Sequence, residues 1–286
     1  HNIDCCDFEK VKKIMKGVQI VYHCAATAHE GLSVFSPFEI TKNNYLASVS
    51  IFTAAVSEKV ERIIFCSSMA RYGSQDYPFV EHMPTKPQDP YGIAKVASEE
   101  VLINLSEVHN VDWTILVPHN IVGPRQKYDD PFRNVLSIFL NRMLQNKPAI
   151  IYGDGSQMRC FSYVDDCISC IEKSIFQNNS SKQIINIGPD EEFISIKDLA
   201  DKCSNLTGFN DKHIFYKDRP KEVKFATCSS DKARKLLNYE TRFTLDQSIE
   251  LTYDYIKKRG PLPFDYKINL EINTNKTPET WKKKII

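Results

Sequence analysis

Apolar positions along the first 120 residues follow two alternating rhythms. Between Asp7 and Lys16, Phe8, Val11, Ile14 and Met15 recur near every 3.6 residues, which predicts a short amphipathic helix with Gly17 as its C-cap. Residues 18–25, Val-Gln-Ile-Val-Tyr-His-Cys-Ala, then carry too few charges for a wet face and predict a buried strand. The alternation continues with a helix over 45–58, a strand over 62–67, a helix over 93–108 and a strand over 113–118. Nearly continuous apolar strands separated by helices predict βαβ units and a parallel sheet covered on both faces. The class is α/β.

Beyond Pro118 the pattern loosens. It predicts a helix over 133–144, a strand over 149–152, a Gly153-Asp154-Gly155 turn, a helix from Val164 and a strand over 183–187. Ser195-Ile196-Lys197-Asp198 resembles a capping box opening a helix toward Leu206. A charged loop holding Arg219-Pro220-Lys221-Glu222 follows, then helices near 230–237 and 245–258. From Gly260 onward, Pro and Asn interrupt any periodicity, which predicts an extended tail.

Composition narrows the classes. Of 286 residues, 42% are hydrophobic, and 37 basic side chains oppose 36 acidic ones for a net charge of +1. That balance argues against a nucleic-acid stripe or a polybasic membrane surface, and Lys282-Lys283-Lys284 reads as a solvated end. No apolar run approaches the roughly 18 residues of a membrane-spanning helix. Nine scattered cysteines form no disulfide framework, and the single CxxC at 167–170 lies in an apolar stretch where both thiols read as small buried hydrophobes. No metal site is expected, and the compartment expected is the cytoplasm. Ten glycines are about half the usual share of ~7%.

Three clusters carry chemistry. Tyr91 and Lys95 stand four apart at a helix start, so both point to one side. Deprotonating a tyrosine at pH 7 costs roughly 4 kcal/mol, which a neighbouring ammonium and a cationic ligand can supply. Ile63-Ile64-Phe65-Cys66-Ser67-Ser68 is an apolar strand ending in hydroxyls, where the carboxyl ends of a parallel sheet form a crevice. Residues 153–166 form a tight polar turn followed by Arg159 and aromatics, which suits an anionic ligand such as a diphosphate. Taken singly, each also fits a plain reading as a surface pair, a capped turn or an exposed arginine.

Together the pieces resemble the extended short-chain dehydrogenase/reductases of the nucleotide-sugar epimerase/dehydratase family, closest to UDP-glucose 4-epimerase-like enzymes. The resemblance rests, in family order, on Val21 to Ala26, Asn44, Cys66-Ser67-Ser68 with Tyr72-Gly73, Tyr91 with Lys95, Asn120 with Gly123-Pro124-Arg125, the 153–166 cluster, Asn186-Ile187-Gly188 and Arg219-Pro220. It implies a Rossmann-type doubly wound parallel sheet with a smaller C-terminal α/β substrate lobe. The division expected is an NAD-binding part over 1–124, with segments near 150–187 returning to it, and a substrate lobe and tail over 125–286.

The resemblance also implies NAD as cofactor and a nucleotide sugar, most simply a UDP-sugar, as substrate. Tyr91 would be the acid/base, Lys95 would hold the nicotinamide ribose and lower the phenol's pKa, and Ser68 would assist. Asp4 and Cys5 would lie by the adenine, and Cys24, Ala25 and Ala26 would pass the ribose and pyrophosphate. Asn44, Cys66 and Pro118 complete the cofactor set. Asn120, Asn134, Arg159 and Arg219 would bind the sugar nucleotide's diphosphate. The helices over 45–58 and 93–108 would pair in a homodimer.

Departures are informative. Val117, Val122 and Cys160 replace residues common in the family, and Ser68 is followed by Met69-Ala70 where the dehydratases carry Asp-Glu. With no carboxylate beside Ser68, 4-epimerisation of a UDP-hexose or UDP-hexuronate through a transient 4-keto sugar is expected over dehydratase, decarboxylase or reductase chemistry. The family's opening strand and glycine-rich loop have no counterpart here, which the low glycine count reflects. About sixty preceding residues are expected in a longer protein, and a non-catalytic sugar-nucleotide-binding fragment is the remaining alternative.

Overall fold

The computed structural model describes residues 1–286. Strands β1 (Ile20–His23), β2 (Arg62–Cys66), β3 (Asp112–Pro118) and β4 (Gln183–Ile187) form one parallel sheet in that order. Their register sets Ile63 opposite Val21 and Trp113, and Cys66 opposite Leu116.

Successive side chains of a strand alternate between faces, and the packing follows that period. Ile63, Phe65, Trp113, Ile115 and Val117 pack on one face with residues of the helices Phe8–Met15, Ala47–Ser57 and Pro90–His109. Ile64, Leu116, Ile185 and Ile187 pack on the other with Cys167, Cys170, Ala233 and Leu237 from helices Val164–Phe176 and Asp231–Leu237. Helices cover both faces, as a Rossmann-type sheet requires. The two CxxC thiols are fully buried, and burial pushes Cys170 up to about 12.

The helix that carries Tyr91 has clear local causes. Asp89 caps it by accepting from Gly92 N at 2.9 Å, Pro90 occupies its first position, and Asn110 ends it in the left-handed region at φ 57°. Gly92 lets its first turn approach β2's continuation: a Cβ there would stand 2.9 Å from Ala70 O.

A second core gathers helices Val135–Leu144, Ile196–Thr207 and Leu245–Arg259, with Leu136, Phe139, Leu140, Leu199 and Ile249 at its centre. Beside it, Ile150–Tyr152 pairs in parallel with Ile214–Tyr216, so this segment stands apart from the main sheet to which Gln183–Ile187 does return.

Four expectations need correction. Residues 42–46 wind as a π-helix before the α-helix begins at Ala47. Strand β1 is shorter than 18–25, because the chain leaves the sheet after His23 to open the cavity described below. Ser195 caps its helix through Asp198 N, but the Asp198 carboxylate takes the Ser195 hydroxyl and leaves the backbone N–H alone. The complete capping box is at Thr244 and Gln247. Finally, the stretch after Gly260 is no loose tail. The Glu271 carboxylate accepts from Phe38 N and Glu39 N at 2.9 Å, a helical turn forms at Glu279–Lys282, and Trp281 and Ile286 bury themselves against Leu32, Phe35 and Ile150.

Candidate active site

One cavity of about 500 Å³ opens at the carboxyl ends of β1, β2 and β3. Such an edge is where parallel sheets hold ligands, because each strand ends there and its chain turns away. Cys24, Ala26, Cys66, Ser68, Tyr91, Lys95, Pro118, Asn120, Asn134, Arg159 and Arg219 all line it, drawn from segments nearly two hundred residues apart. Asp4, Cys5, Ala25 and Asn44 do not. Asp4 is exposed and caps its own turn through Cys6 N, and Cys5 leans on the core. Asn44 is buried behind the wall and donates to Thr27 O at 3.0 Å, which fastens the loop leaving β1.

At the inner end, Tyr91 and Lys95 are both buried. Lys95 Nζ donates to Cys66 O at 2.8 Å and has no other partner, which leaves two of its N–H groups free in the cavity. Burial lowers the Lys95 ammonium and raises the Tyr91 phenol above its ordinary value. The Lys95 ammonium lies 5.9 Å from the centre of the Tyr91 ring and bonds elsewhere. The groups that pull the phenol down are the Ser68 hydroxyl and the charge of Arg133.

Beneath this end, the buried Glu99 carboxylate takes the Ser67 hydroxyl and a bidentate ion pair from Arg71, whose Nη2 is 3.0 Å away. The network fixes the chain on either side of Ser68. Ser68 itself accepts from Ala70 N at 3.2 Å.

At the outer end, Arg219 lies over the Tyr152 ring at 4.9 Å and donates to both oxygens of Glu222, at 2.8 and 3.1 Å. Arg159 is held by the carbonyls of Met158, Lys224 and Val223, with Glu222 3.9 Å away. Two guanidinium groups share one carboxylate, so the pair keeps a net positive charge facing the cavity. The asparagines are more fully engaged: Asn134 caps a helix and donates to Ile121 O, and Asn120, at φ 42°, donates to Cys160 O.

Several lining residues escaped the sequence reading. Trp281 and Ile286 close the cavity from the far end of the chain, and Tyr22, Phe132 and Tyr152 supply apolar wall. Glu30 and Arg133 also line it, and their side chains form no hydrogen bond or ion pair. Glu30 thus brings a carboxylate to the cavity from the short helix Glu30–Ser33, far from Ser68 in sequence. No local motif marks either residue, since each reaches the cavity only through the fold.

The donor set at the inner end suits the nicotinamide half of a dinucleotide: a buried ammonium with free N–H groups, the strand-end residues Cys24 and Ala26, and Pro118 on the neighbouring strand.

A Rossmann-type sheet with a tyrosine, a lysine and a serine over its carboxyl edge defines an extended short-chain dehydrogenase/reductase. Residues 1–188 match the NAD dependent epimerase/dehydratase family, and the chain belongs to that family. A Methanocaldococcus jannaschii protein carried provisionally as a UDP-glucose 4-epimerase is 32% identical over 264 residues, 91% of this chain and 84% of that protein. The Thermotoga maritima UDP-glucose 4-epimerase, solved with UDP-glucose, superposes with a TM-score of 0.85 at 26% identity, covering 91% of this chain and 84% of that one. The Bacillus cereus UDP-glucuronic acid 4-epimerase, solved with UDP-glucuronic acid and NAD, gives a TM-score of 0.83 at 29% identity, covering 89% and 81%.

Proposed function

We propose that the protein is an NAD-dependent 4-epimerase of nucleotide sugars, with a UDP-hexose or UDP-hexuronate as substrate. The observation that carries this reading is the single cavity with proton-transfer groups at one end and an arginine pair at the other. A sugar linked to a diphosphate on Arg159 and Arg219 lies with its ring toward Tyr91. Both solved relatives cited above are 4-epimerases of UDP-sugars.

Bound NAD supplies a hydride acceptor and a positively charged ring. Lys95 would hold the nicotinamide ribose through its free N–H groups, with Cys24, Ala26, Cys66 and Pro118 beside it. Tyr91 Oη takes the proton of the sugar's 4-hydroxyl and later returns it. Ser68 lies against that phenol and eases its ionisation. The apolar walls from Phe132 and Trp281 keep water off the 4-keto sugar while it turns to present its other face.

In this reading residues 1–124 hold the cofactor and 125–286 mainly the substrate, the protein works in the cytoplasm with its nine cysteines free, and it pairs through the helices Ala47–Ser57 and Pro90–His109. The test is incubation with NAD and UDP-glucose or UDP-glucuronate, followed by chromatography of the released sugars. The expected product is the C4 epimer. A 4-keto-6-deoxy sugar or a pentose would replace the epimerase reading by dehydratase or decarboxylase chemistry.

A further inference from the structure

Glu30 stands where the two ends of the cavity meet. Its carbonyl accepts the Ser33 hydroxyl at 2.7 Å, and the same hydroxyl lies 3.2 Å from Asp89, the residue that caps the Tyr91 helix. On its other side, the backbone of Gly31 touches the outer arginine: a Cβ there would be 3.1 Å from Arg219 Nη1 and 3.7 Å from Trp281. The short helix Glu30–Ser33 is thus pinned between Tyr91 and Arg219, and its first side chain lines the cavity with no partner of its own.

In a nucleotide sugar, the only group between the diphosphate and the reacting C4 is the sugar ring. Resting on the function proposed above, we infer that Glu30 is a specificity-determining residue whose carboxylate faces that ring and selects a hexose offering hydroxyl or N–H donors over a hexuronate. A carboxylate accepts hydrogen bonds at two oxygens and repels a second carboxylate brought near it in a partly desolvated cavity. Glu30 is exposed to the open cavity. Desolvation by the walls beside it and the charge of Asp89 raise its carboxyl to about 7, against the pull of Arg159 and Arg219, so the repelling anion is complete only on the alkaline side and the comparison below is made there. Arg133 is a cation near Tyr91 whose side chain has no partner, and it is a group a uronate could use.

Equilibrium titration calorimetry of the protein with UDP, UDP-glucose and UDP-glucuronate separates the arms without relying on turnover. Wild type should bind UDP-glucose at least tenfold more tightly than UDP-glucuronate. Glu30→Gln should bring the two within about threefold while leaving UDP affinity unchanged, which also shows that the variant is folded. A wild-type preference for UDP-glucuronate, above all one lost in Arg133→Leu, would overturn the assignment of Glu30. So would a hexose preference that survives Glu30→Gln. Absence of UDP binding to wild type would sink the sugar-nucleotide reading itself and Glu30's role with it.

Discussion

Lys95 and Tyr91 are one helical turn apart, yet the Lys95 ammonium is spent on Cys66 O at 2.8 Å and stands 5.9 Å from the Tyr91 ring centre. A lysine placed there anchors the end of β2 and offers its remaining N–H groups to a ligand. The buried phenol keeps its proton until ligands change its surroundings. Tyr91→Phe should therefore reduce epimerisation by roughly 10²–10⁴-fold and leave sugar-nucleotide affinity nearly unchanged, because proton transfer and not ground-state binding is removed. Turnover by single-time-point chromatography and affinity by calorimetry check the two halves.

Arg219 reaches the cavity with one carboxylate partner, whereas Arg159 also braces three carbonyls. Arg219→Ala should weaken UDP binding by about 1.5–3 kcal/mol, the range for a hydrogen bond to a charged group, with little change in melting temperature. Arg159→Ala should lose a similar affinity and also stability. Unchanged UDP dissociation constants in both variants would detach the arginine pair from the diphosphate.

Much of this was legible in the sequence, and the reason is local. The β-branched runs that became β2 and β3 and the turn chemistry around Asp89-Pro90 act over a few residues, so their elements could be read directly. The positions of Tyr91, Lys95 and Ser68 at a helix start and a strand end are legible for the same reason, whereas the chemistry expected of them rests on the family resemblance and not on any local signal. Glu30, Arg133, Trp281 and Ile286 were not legible, because nothing within five residues of any of them says which cavity it will face. The stretch from Gly260 reads as an extended tail with no sign of its docking, because its order comes from Glu271 binding the amide groups of Phe38 and Glu39, a contact across more than 230 positions.

Glu99 and Arg71 form an ion pair with almost no solvent access, 2% and 4% for the two side chains. Removing one partner leaves the other charge buried. Glu99→Ala should destabilise the fold by about 3–5 kcal/mol, well beyond an exposed pair. It should also lower turnover, since Ser67 loses its acceptor beside Ser68. Chemical denaturation checks the first effect; a loss under 1 kcal/mol would mean that water reaches Arg71.

His23 makes the fold sensitive to acid. Its ring is buried against Phe65, and Nε2 lies 2.9 Å from Ser48 Oγ. That hydroxyl already donates to Asn44 O, so Nε2 carries a proton and donates it to Ser48. Burial depresses the folded-state pKa to about 3, against about 6.5 in the unfolded chain. Between those values the unfolded state binds more protons, so this contribution to stability is full above about pH 6.5 and declines as the pH falls toward 3. At pH 5 the loss should be about 2 kcal/mol relative to pH 7.5, from a shift of roughly 1.5 units at 1.36 kcal/mol each. Burial lowers His119 as well, which acts in the same direction. Urea titrations of wild type and His23→Asn across this range check the origin, and the variant's profile should be flatter.

Trp281 closes the cavity from the end of the chain. It is almost fully buried and meets Phe35, Phe132 and Tyr152 edge-on at centroid distances of 5.8, 5.3 and 6.4 Å. A truncation to alanine there should cost about 3–5 kcal/mol in stability, the range for emptying a large aromatic site. Its effect on the site should be separable by a conservative variant. Trp281→Phe refills most of the volume, so stability should largely return, yet the wall beside Gly31 and Arg219 stays thinner. We expect Trp281→Phe to bind UDP nearly as wild type does while releasing some 4-keto sugar into solution, because the enclosure that retains the intermediate is loosened. Trapping the ketone with a hydrazide reagent during turnover would measure the leak. Equal trapping from wild type and Trp281→Phe would show that the tail closes the fold and not the reaction.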